Sequence, residues 1–239
     1  MAGKADTSMN DSRHGFLGIL MLDTRFPRPV GDVGNPETYR RAGIPVRFVT
    51  VQGASPERIV KEADPALLRP FVDAAVQLVR DGAQMLSTSC GFLSAYQEQL
   101  SRAVAVPVIT SSLLQAARFS RPGIVTIAAA SLGPSVLHAA GVPAGTPVQG
   151  VEPGCEFHHR ILSNDATLDL KQAEHDVVAA AVELVRIHPL VTDIVLECTN
   201  MPPYRDAVVR ETGRAVHDIE TLLIQEWAGR RLARHSLVP

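Results

Sequence analysis

Two cysteines stand in matching surroundings, Cys90 in Leu86-Ser-Thr-Ser-Cys-Gly-Phe92 and Cys198 in Val195-Leu-Glu-Cys-Thr-Asn-Met201. Each follows a glycine-led apolar run by 75 residues, the runs opening at Gly15 and Gly123. Tyr96 and Tyr204 each lie six residues past their cysteine, and Ala105-Val106 leading to Leu113-Leu114-Gln115 is echoed by Ala215-Val216 leading to Leu223-Ile224-Gln225. Self-similarity of this kind reads as a duplicated chain with one thiol in each half. Two thiols facing one carbon from opposite sides can take a proton from one face and deliver one to the other, which is what stereoinversion requires. Preorganised donors suffice for the enolate-like charge that develops, so neither metal nor organic cofactor is expected.

The elements that must hold these thiols alternate. Strands are expected at Phe16 to Leu22, Val46 to Val51, Ala83 to Thr88, Val106 to Thr110, Ile124 to Ala129, Val148 to Val151 and Asp193 to Glu197. Most are unbroken apolar runs, the signature of parallel strands covered on both faces. Helices are expected from Pro65 to Asp81, with Leu67, Phe71, Ala75 and Leu78 on one face, and from Leu170 to His188. Asp64 ahead of Pro65 supplies an N-cap followed by proline at the first helical position. Strand–helix alternation implies right-handed βαβ units, and hence an α/β fold of two pseudo-symmetric doubly wound lobes, each with a mainly parallel sheet flanked by helices. The active site then falls in the cleft between them. Residues 15–111 plus 206–234 are expected to form one lobe and 112–205 the other, with 1–14 and 235–239 as loose tails. The stretch from Asp23 to Ile44 is too long for an ordinary connection and reads as a functional loop or lid.

Each cysteine comes just after a strand and just before a helix, where open α/β sheets place their ligands. Backbone N–H groups near Gly91-Phe92 and Thr199-Asn200 are suited to a carboxylate, and the same helix starts are expected to lower the thiol pKa.

Composition narrows the classes. The 239 residues are 46% hydrophobic and 20% charged, enough to bury a large core, and the net charge of −2 offers no basic field for nucleic acid. No apolar stretch approaches the roughly 20 residues of a membrane span, and Met1 to His14 has no apolar signal core. Three cysteines suit a reducing compartment, so a cytoplasmic location is expected. Cys155, in Pro153-Gly-Cys-Glu-Phe157, has no counterpart in the other half and reads as structural; with His158-His159 it is a weak zinc signal, and no metal is expected. Thr110-Ser111-Ser112 is either a helix cap or a carboxylate contact. Glu197 either ends its strand or tunes Cys198; a neighbouring carboxylate raises a thiol's pKa and so helps only as a proton relay.

From about Gly15 to about Arg230 the chain resembles the aspartate/glutamate racemase family, which includes hydantoin racemases, maleate isomerases and arylmalonate decarboxylases. The likeness rests on Asp23 after the first strand, Thr88-Ser-Cys-Gly91 and Glu197-Cys-Thr-Asn200. It implies two lobes around the substrate, with Cys90 and Cys198 as a cofactor-independent acid/base pair and no pyridoxal phosphate. It further implies thiol activation by Asp23, substrate contact by Thr24 and Thr199, and a homodimer. Thr88, Ser89, Gly91, Phe92, Thr110, Ser111 and Asn200 complete the expected substrate contacts. Gly91-Phe92 stand where amino-acid racemases of the family carry Asn-Thr to hold an α-carboxylate, and Asn200 stands where glutamate racemases often have His or Gln. Decarboxylase members keep one cysteine, so two favour a racemase or isomerase.

The expected activity is therefore isomerisation at the α-carbon of a small carboxylic or amino acid, aspartate- or glutamate-like. The alternatives are a maleate-isomerase-like or hydantoin-racemase-like enzyme that uses one thiolate as nucleophile or base and, outside enzymes, a two-lobe sensor of small molecules. A cysteine hydrolase is disfavoured because neither motif brings a histidine partner.

Overall fold

The computed structural model describes residues 15–235; of the expected tails, 1–14 and 235–239, all but His235, the last residue of a helix, lie outside it. Two four-stranded, all-parallel sheets form its frame. The first has the order β2-β1-β3-β4, from β1 (Phe16–Met21), β2 (Val46–Thr50), β3 (Ala83–Thr88) and β4 (Val108–Ile109). The second has the order β6-β5-β7-β8, from β5 (Pro122–Thr126), β6 (Val148–Gly150), β7 (Asp193–Leu196) and β8 (Ala215–His217). The same order in both sheets is the duplication in three dimensions.

Each sheet centre is apolar and fully buried: all six residues of β1 and all five of β5 are buried. A glycine in each lets a helix approach. A Cβ at Gly18 would meet Leu86 at 2.7 Å and Leu78 at 3.0 Å, and one at Gly123 would meet Leu184 at 2.9 Å and Val191 at 3.0 Å. Leu78 comes from the first lobe's long helix and Leu184 from the second's. Register makes these two glycines equivalent, since Gly18 lies opposite Leu86 and Gly123 opposite Ile194. The true counterpart of Gly123 is thus Gly18, three positions beyond the Gly15 that equal spacing suggested, because an indel separates the halves.

The helices are α1 (Pro36–Arg41), α2 (Leu68–Arg80), α3 (Gln97–Ala103), α4 (Pro134–Ala139), α5 (Glu156–Leu162), α6 (Leu170–Ile187), α7 (Arg205–Thr212) and α8 (Ile219–His235). Asp64 does cap the turn leading into α2, accepting from the Ala66 N–H at 2.9 Å. Three sequence expectations change. The expected strand from Val106 shrinks to Val108–Ile109, since Pro107 has no N–H to give a ladder and only its carbonyl takes part, accepting from Leu86 at 2.9 Å. The short β8 was not anticipated. It also corrects the lobe boundary: β8 pairs with β7, so this part of 206–234 extends the second sheet, while α8 buries Ile219, Leu222, Leu223 and Trp227 with Leu17, Ile19 and Met85 on the first.

The 23–44 stretch is a strap with one short helix, α1, capped by Asn35 and opened by Pro36. Buried Tyr39 donates from its hydroxyl to the Val33 carbonyl at 2.8 Å. The strap reaches the second lobe through Val33 N–H to the Thr199 carbonyl at 3.3 Å, and through Asn164, whose side chain bonds the Asp23 carbonyl and the Arg25 N–H.

Candidate active site

Past the carboxyl ends of β3 and β7 the chain turns sharply, and the turns hold Cys90 and Cys198. Cys90 caps a 3-10 segment, Gly91–Tyr96, while Cys198 precedes a turn closed by Met201 N–H to the Cys198 carbonyl at 3.0 Å. Both thiols line one cavity, about 340 Å³ of unfilled space partly open to solvent, together with Ser89, Gly91, Phe92, Glu197, Thr199 and Asn200. Its other walls are apolar, among them Leu22, Phe26, Val60, Ile127 and Ile161. No lysine, arginine or histidine lines it among the described residues.

The two turns clasp each other. Thr199, after Cys198, donates from its hydroxyl to the carbonyl of Ser89, before Cys90, at 2.7 Å. Gly91, after Cys90, lies against Glu197, before Cys198, so closely that a Cβ would stand 2.2 Å from Glu197 Oε1 and 2.4 Å from its carbonyl oxygen. The glycine that breaks the resemblance to amino-acid racemases therefore has a steric cause: the Glu197 carboxylate occupies the space that a side chain there would need.

Glu197 is fully buried. Its Oε2 accepts from the Thr126 hydroxyl at 2.7 Å, and its Oε1 has no hydrogen-bond partner. Burial pushes its carboxyl up to about 7, against the pull of the Thr126 hydroxyl. Burial, and secondly the Glu197 charge, pushes the Cys90 thiol up to about 12, although the Phe92 and Leu93 N–H groups and Arg28 draw it back. Cys198 is driven well above the ordinary thiol range by burial first, then by Glu197; the Asn200 N–H opposes this, while Cys90 and Asp32 add to it. The expected lowering by helix starts is thus real in sign but outweighed by desolvation.

A polar chain runs from Cys198 into the strap. Cys198 Sγ lies 3.6 Å from Asn200 Oδ1, Asn200 Nδ2 donates to buried Asp32 at 2.6 Å, and Arg28 pairs with Asp32 at 2.7 Å and donates to the Thr24 hydroxyl at 2.8 Å. Sequence reasoning missed Asp32 and Arg28. Their only sequence signal was the unusual length of the strap.

Other expected contacts sit elsewhere. The Asp23 carboxylate takes the Gly53 N–H at 3.2 Å and does not line the cavity; the carboxylate near the thiols is Glu197. Thr24 is held by Arg28 outside the lining, Thr88 donates to the Thr110 carbonyl at 2.6 Å, and Thr110 donates to Gln97 at 2.6 Å. Ser111 caps the following turn by accepting from Leu113, so of the two readings for this segment the cap describes its bonding. Ser89 lines the cavity with its hydroxyl taking the Leu22 N–H at 2.8 Å. Cys155 precedes α5 near Asp176, half-buried, and the described residues contain no group of three or more His, Cys, Asp or Glu side chains placed to hold a metal. No described helix is long and apolar enough to cross a membrane.

No known family profile matches the chain. Among curated proteins it is 29% identical over 221 residues to a dimethylsulfoniopropionate lyase of Durusdinium sp. clade D, covering 86% of this chain and 72% of the relative. It is 27% identical over 234 residues to dimethylsulfoniopropionate lyase 3 of Emiliania huxleyi (strain CCMP1516), covering 89% of this chain but only 59% of that protein. Among solved structures it is similar to arylmalonate decarboxylase (18% identity, TM-score 0.57, 90% of this chain and 92% of that one). The allantoin racemase of Pseudomonas fluorescens gives 16% identity and TM-score 0.60 over 93% and 92% of the two chains. Glutamate racemase of Thermus thermophilus gives 21% and 0.57 over 94% and 83%. These structures share the two-lobe α/β fold with this chain, and the relatives and fold neighbours alike are enzymes.

Proposed function

We propose that this chain is a cysteine-dependent lyase that removes the proton α to a carboxylate and discharges the carbanion by expelling a β-substituent. The observation that carries the reading is the pairing of two buried thiols in one small cavity with the relationship, over most of the chain, to dimethylsulfoniopropionate lyases. The thiolate takes the α-hydrogen, the electron pair left on that carbon forms the C=C bond, and the bond to the β-substituent breaks with its pair leaving on the substituent. With dimethylsulfoniopropionate the products are acrylate, dimethyl sulfide and one proton, which the thiol returns to solvent. The developing negative charge on the substrate carboxylate falls to the backbone N–H groups of Gly91 and Thr199, at the starts of the two turns.

Cys90 is the base in this reading. Two backbone N–H groups and Arg28 favour its thiolate, whereas Cys198 has one N–H and feels Asp32; Glu197 opposes both thiolates. Such a β-elimination needs only a base and a leaving group.

A second reading keeps the same first step. With both thiols lining the cavity, the carbanion can be reprotonated by Cys198, giving a racemase or epimerase. Among the described residues the lining has no basic side chain to receive a second carboxylate, and Glu197 would repel one, which argues against aspartate or glutamate as that substrate. Proton NMR of the enzyme in D₂O with dimethylsulfoniopropionate, and separately with single-enantiomer amino acids and hydantoins, decides between them. Vinyl signals of acrylate together with dimethyl sulfide support elimination. Loss of the α-hydrogen signal without a new product supports racemisation and overturns elimination.

A further inference from the structure

Glu197 is an anomaly in the cavity. A fully buried carboxylate oxygen without a hydrogen-bond partner is unfavourable unless something compensates it, and among the described residues no lysine, arginine or histidine lines the space to do so. The neighbouring polar side chains are already engaged: the Ser89 hydroxyl with Leu22 N–H, the Thr199 hydroxyl with Ser89, and Asn200 with Asp32 and Cys198. Oε1 packs against Gly91, and Glu197 is one of the residues that line the cavity.

We infer that Glu197 is the anionic wall of a subsite for a cationic onium group, sulfonium or quaternary ammonium, carried on the β-carbon of the substrate. The inference rests on the elimination reading, in which that group is what leaves. A primary ammonium fits poorly, because its three N–H donors would find one free acceptor. Methyl groups on sulfur or nitrogen have no donor to satisfy. They suit the apolar walls, Phe92 and Ile127 among them, while the positive centre offsets the carboxylate. Burial is the first cause that keeps both thiols protonated and the Glu197 charge the second, so a bound cation that neutralises Glu197 removes only the second.

The test uses two probes of one shape, 3-(trimethylammonio)propionate and its uncharged isostere 4,4-dimethylpentanoate, measured by titration calorimetry on the full chain at pH 8. The wild-type protein should bind the cationic probe at least about 10-fold more tightly, and Glu197→Gln should bring the two within about 2-fold by weakening only the cationic one. Equal affinities in the wild type, or an unchanged preference in Glu197→Gln, overturns the subsite. Should circular dichroism show Glu197→Gln unfolded, the wild-type preference is followed from pH 5.5 to 8.5. It should grow as Glu197 ionises, while Cys90 and Cys198 facing it stay protonated and Arg28 and Asp32 remain paired with each other; a flat ratio overturns the inference. The two claims fail separately. Cation preference without acrylate formation retains the subsite and sinks elimination, whereas acrylate formation with an unaltered kcat/KM for dimethylsulfoniopropionate in Glu197→Gln does the reverse.

Discussion

The lobes share strand order, glycine-centred packing and a cysteine at the same turn, yet the residue before the cysteine differs: Ser89 in the first, Glu197 in the second. Ser89 is neutral and fully bonded to Leu22, while Glu197 brings a carboxylate that is only half satisfied. The donors differ in the same direction, two backbone N–H groups and Arg28 at Cys90 against one N–H with Asp32 nearby at Cys198. Duplication made two thiol sites, and substitution beside them made the sites electrically unequal. An elimination needs only one base, so such inequality suits it better than it suits a symmetrical proton exchange.

The largest expected effect tests that inequality. Cys90→Ser should lower acrylate formation by about 10³-fold or more and Cys198→Ser by about 10-fold, whereas equal losses would restore the symmetric two-base picture. The wild-type rate should climb with pH from 7 to 9. The reactive form is deprotonated and the Cys90 thiol lies at about 12, so its thiolate fraction grows about 10-fold per pH unit throughout that range. A plateau below pH 8 would show that the free enzyme's thiol is not so raised.

Next comes the clasp between the lobes. Gly91→Ala puts a methyl group onto the Glu197 carboxylate and carbonyl, backbone and side chain together, so neither can yield fully. Activity should fall about 10²-fold and stability by about 1–3 kcal/mol in urea titrations. The mirror-image change, Thr199→Val, removes one hydrogen bond to Ser89 and should cost about 1 kcal/mol. If the two changes cost the same, Gly91 is not the tighter contact.

Glu197 also ties stability to pH. Its folded-state carboxyl is raised to about 7 from an ordinary 4.5, so folding favours the protonated form and stability is lost as pH rises from about 4.5 through about 7. Glu197→Gln removes this loss. It should be more stable than wild type by on the order of 2 kcal/mol at pH 8 and little different at pH 4.5, read from paired urea melts. A wild-type protein equally stable at both values against the Gln variant would mean that Glu197 is compensated by something else.

Much of the frame was legible because it is written in local pattern. The unbroken apolar runs marked seven of the eight strands, Asp64-Pro65 marked the entry to α2, and repetition marked both cysteines. The eighth strand is only three residues, Ala-Val-His, exposed or half-buried and too short to show a pattern, and it is held by pairing with its neighbour β7. At the site, a residue next to a cysteine was visible but its surroundings were not. Thiol activation was expected of Asp23, and Glu197 was expected either to end its strand or to tune Cys198; the Asp23 carboxylate turns to the Gly53 N–H, and Glu197 lines the cavity with both thiols. Thr24, Thr88, Thr110 and Ser111 are hydroxyls whose spacing suits a ligand but whose hydrogen bonds close on the backbone and on Gln97 and Arg28.

The smallest expected effect concerns the strap, which carries the one pair the sequence concealed. Asp32 holds Asn200 from across the molecule, and Asn200 sits 3.6 Å from Cys198 sulfur, so through Asn200 the strap orients the second thiol, while its Arg28 reaches Cys90 by charge alone. Asp32→Asn keeps the shape but loses the charge that Arg28 meets at 2.7 Å, leaving the guanidinium without its partner. A pair this enclosed should cost about 1–3 kcal/mol of stability when broken. Its effect on elimination should be only about 3-fold if Cys90 is the base, because the disturbed side chain is the other thiol. A rate loss as deep as that of Cys90→Ser would mean instead that Cys198 carries the proton transfer, and the asymmetry between the lobes would have to be read the other way round.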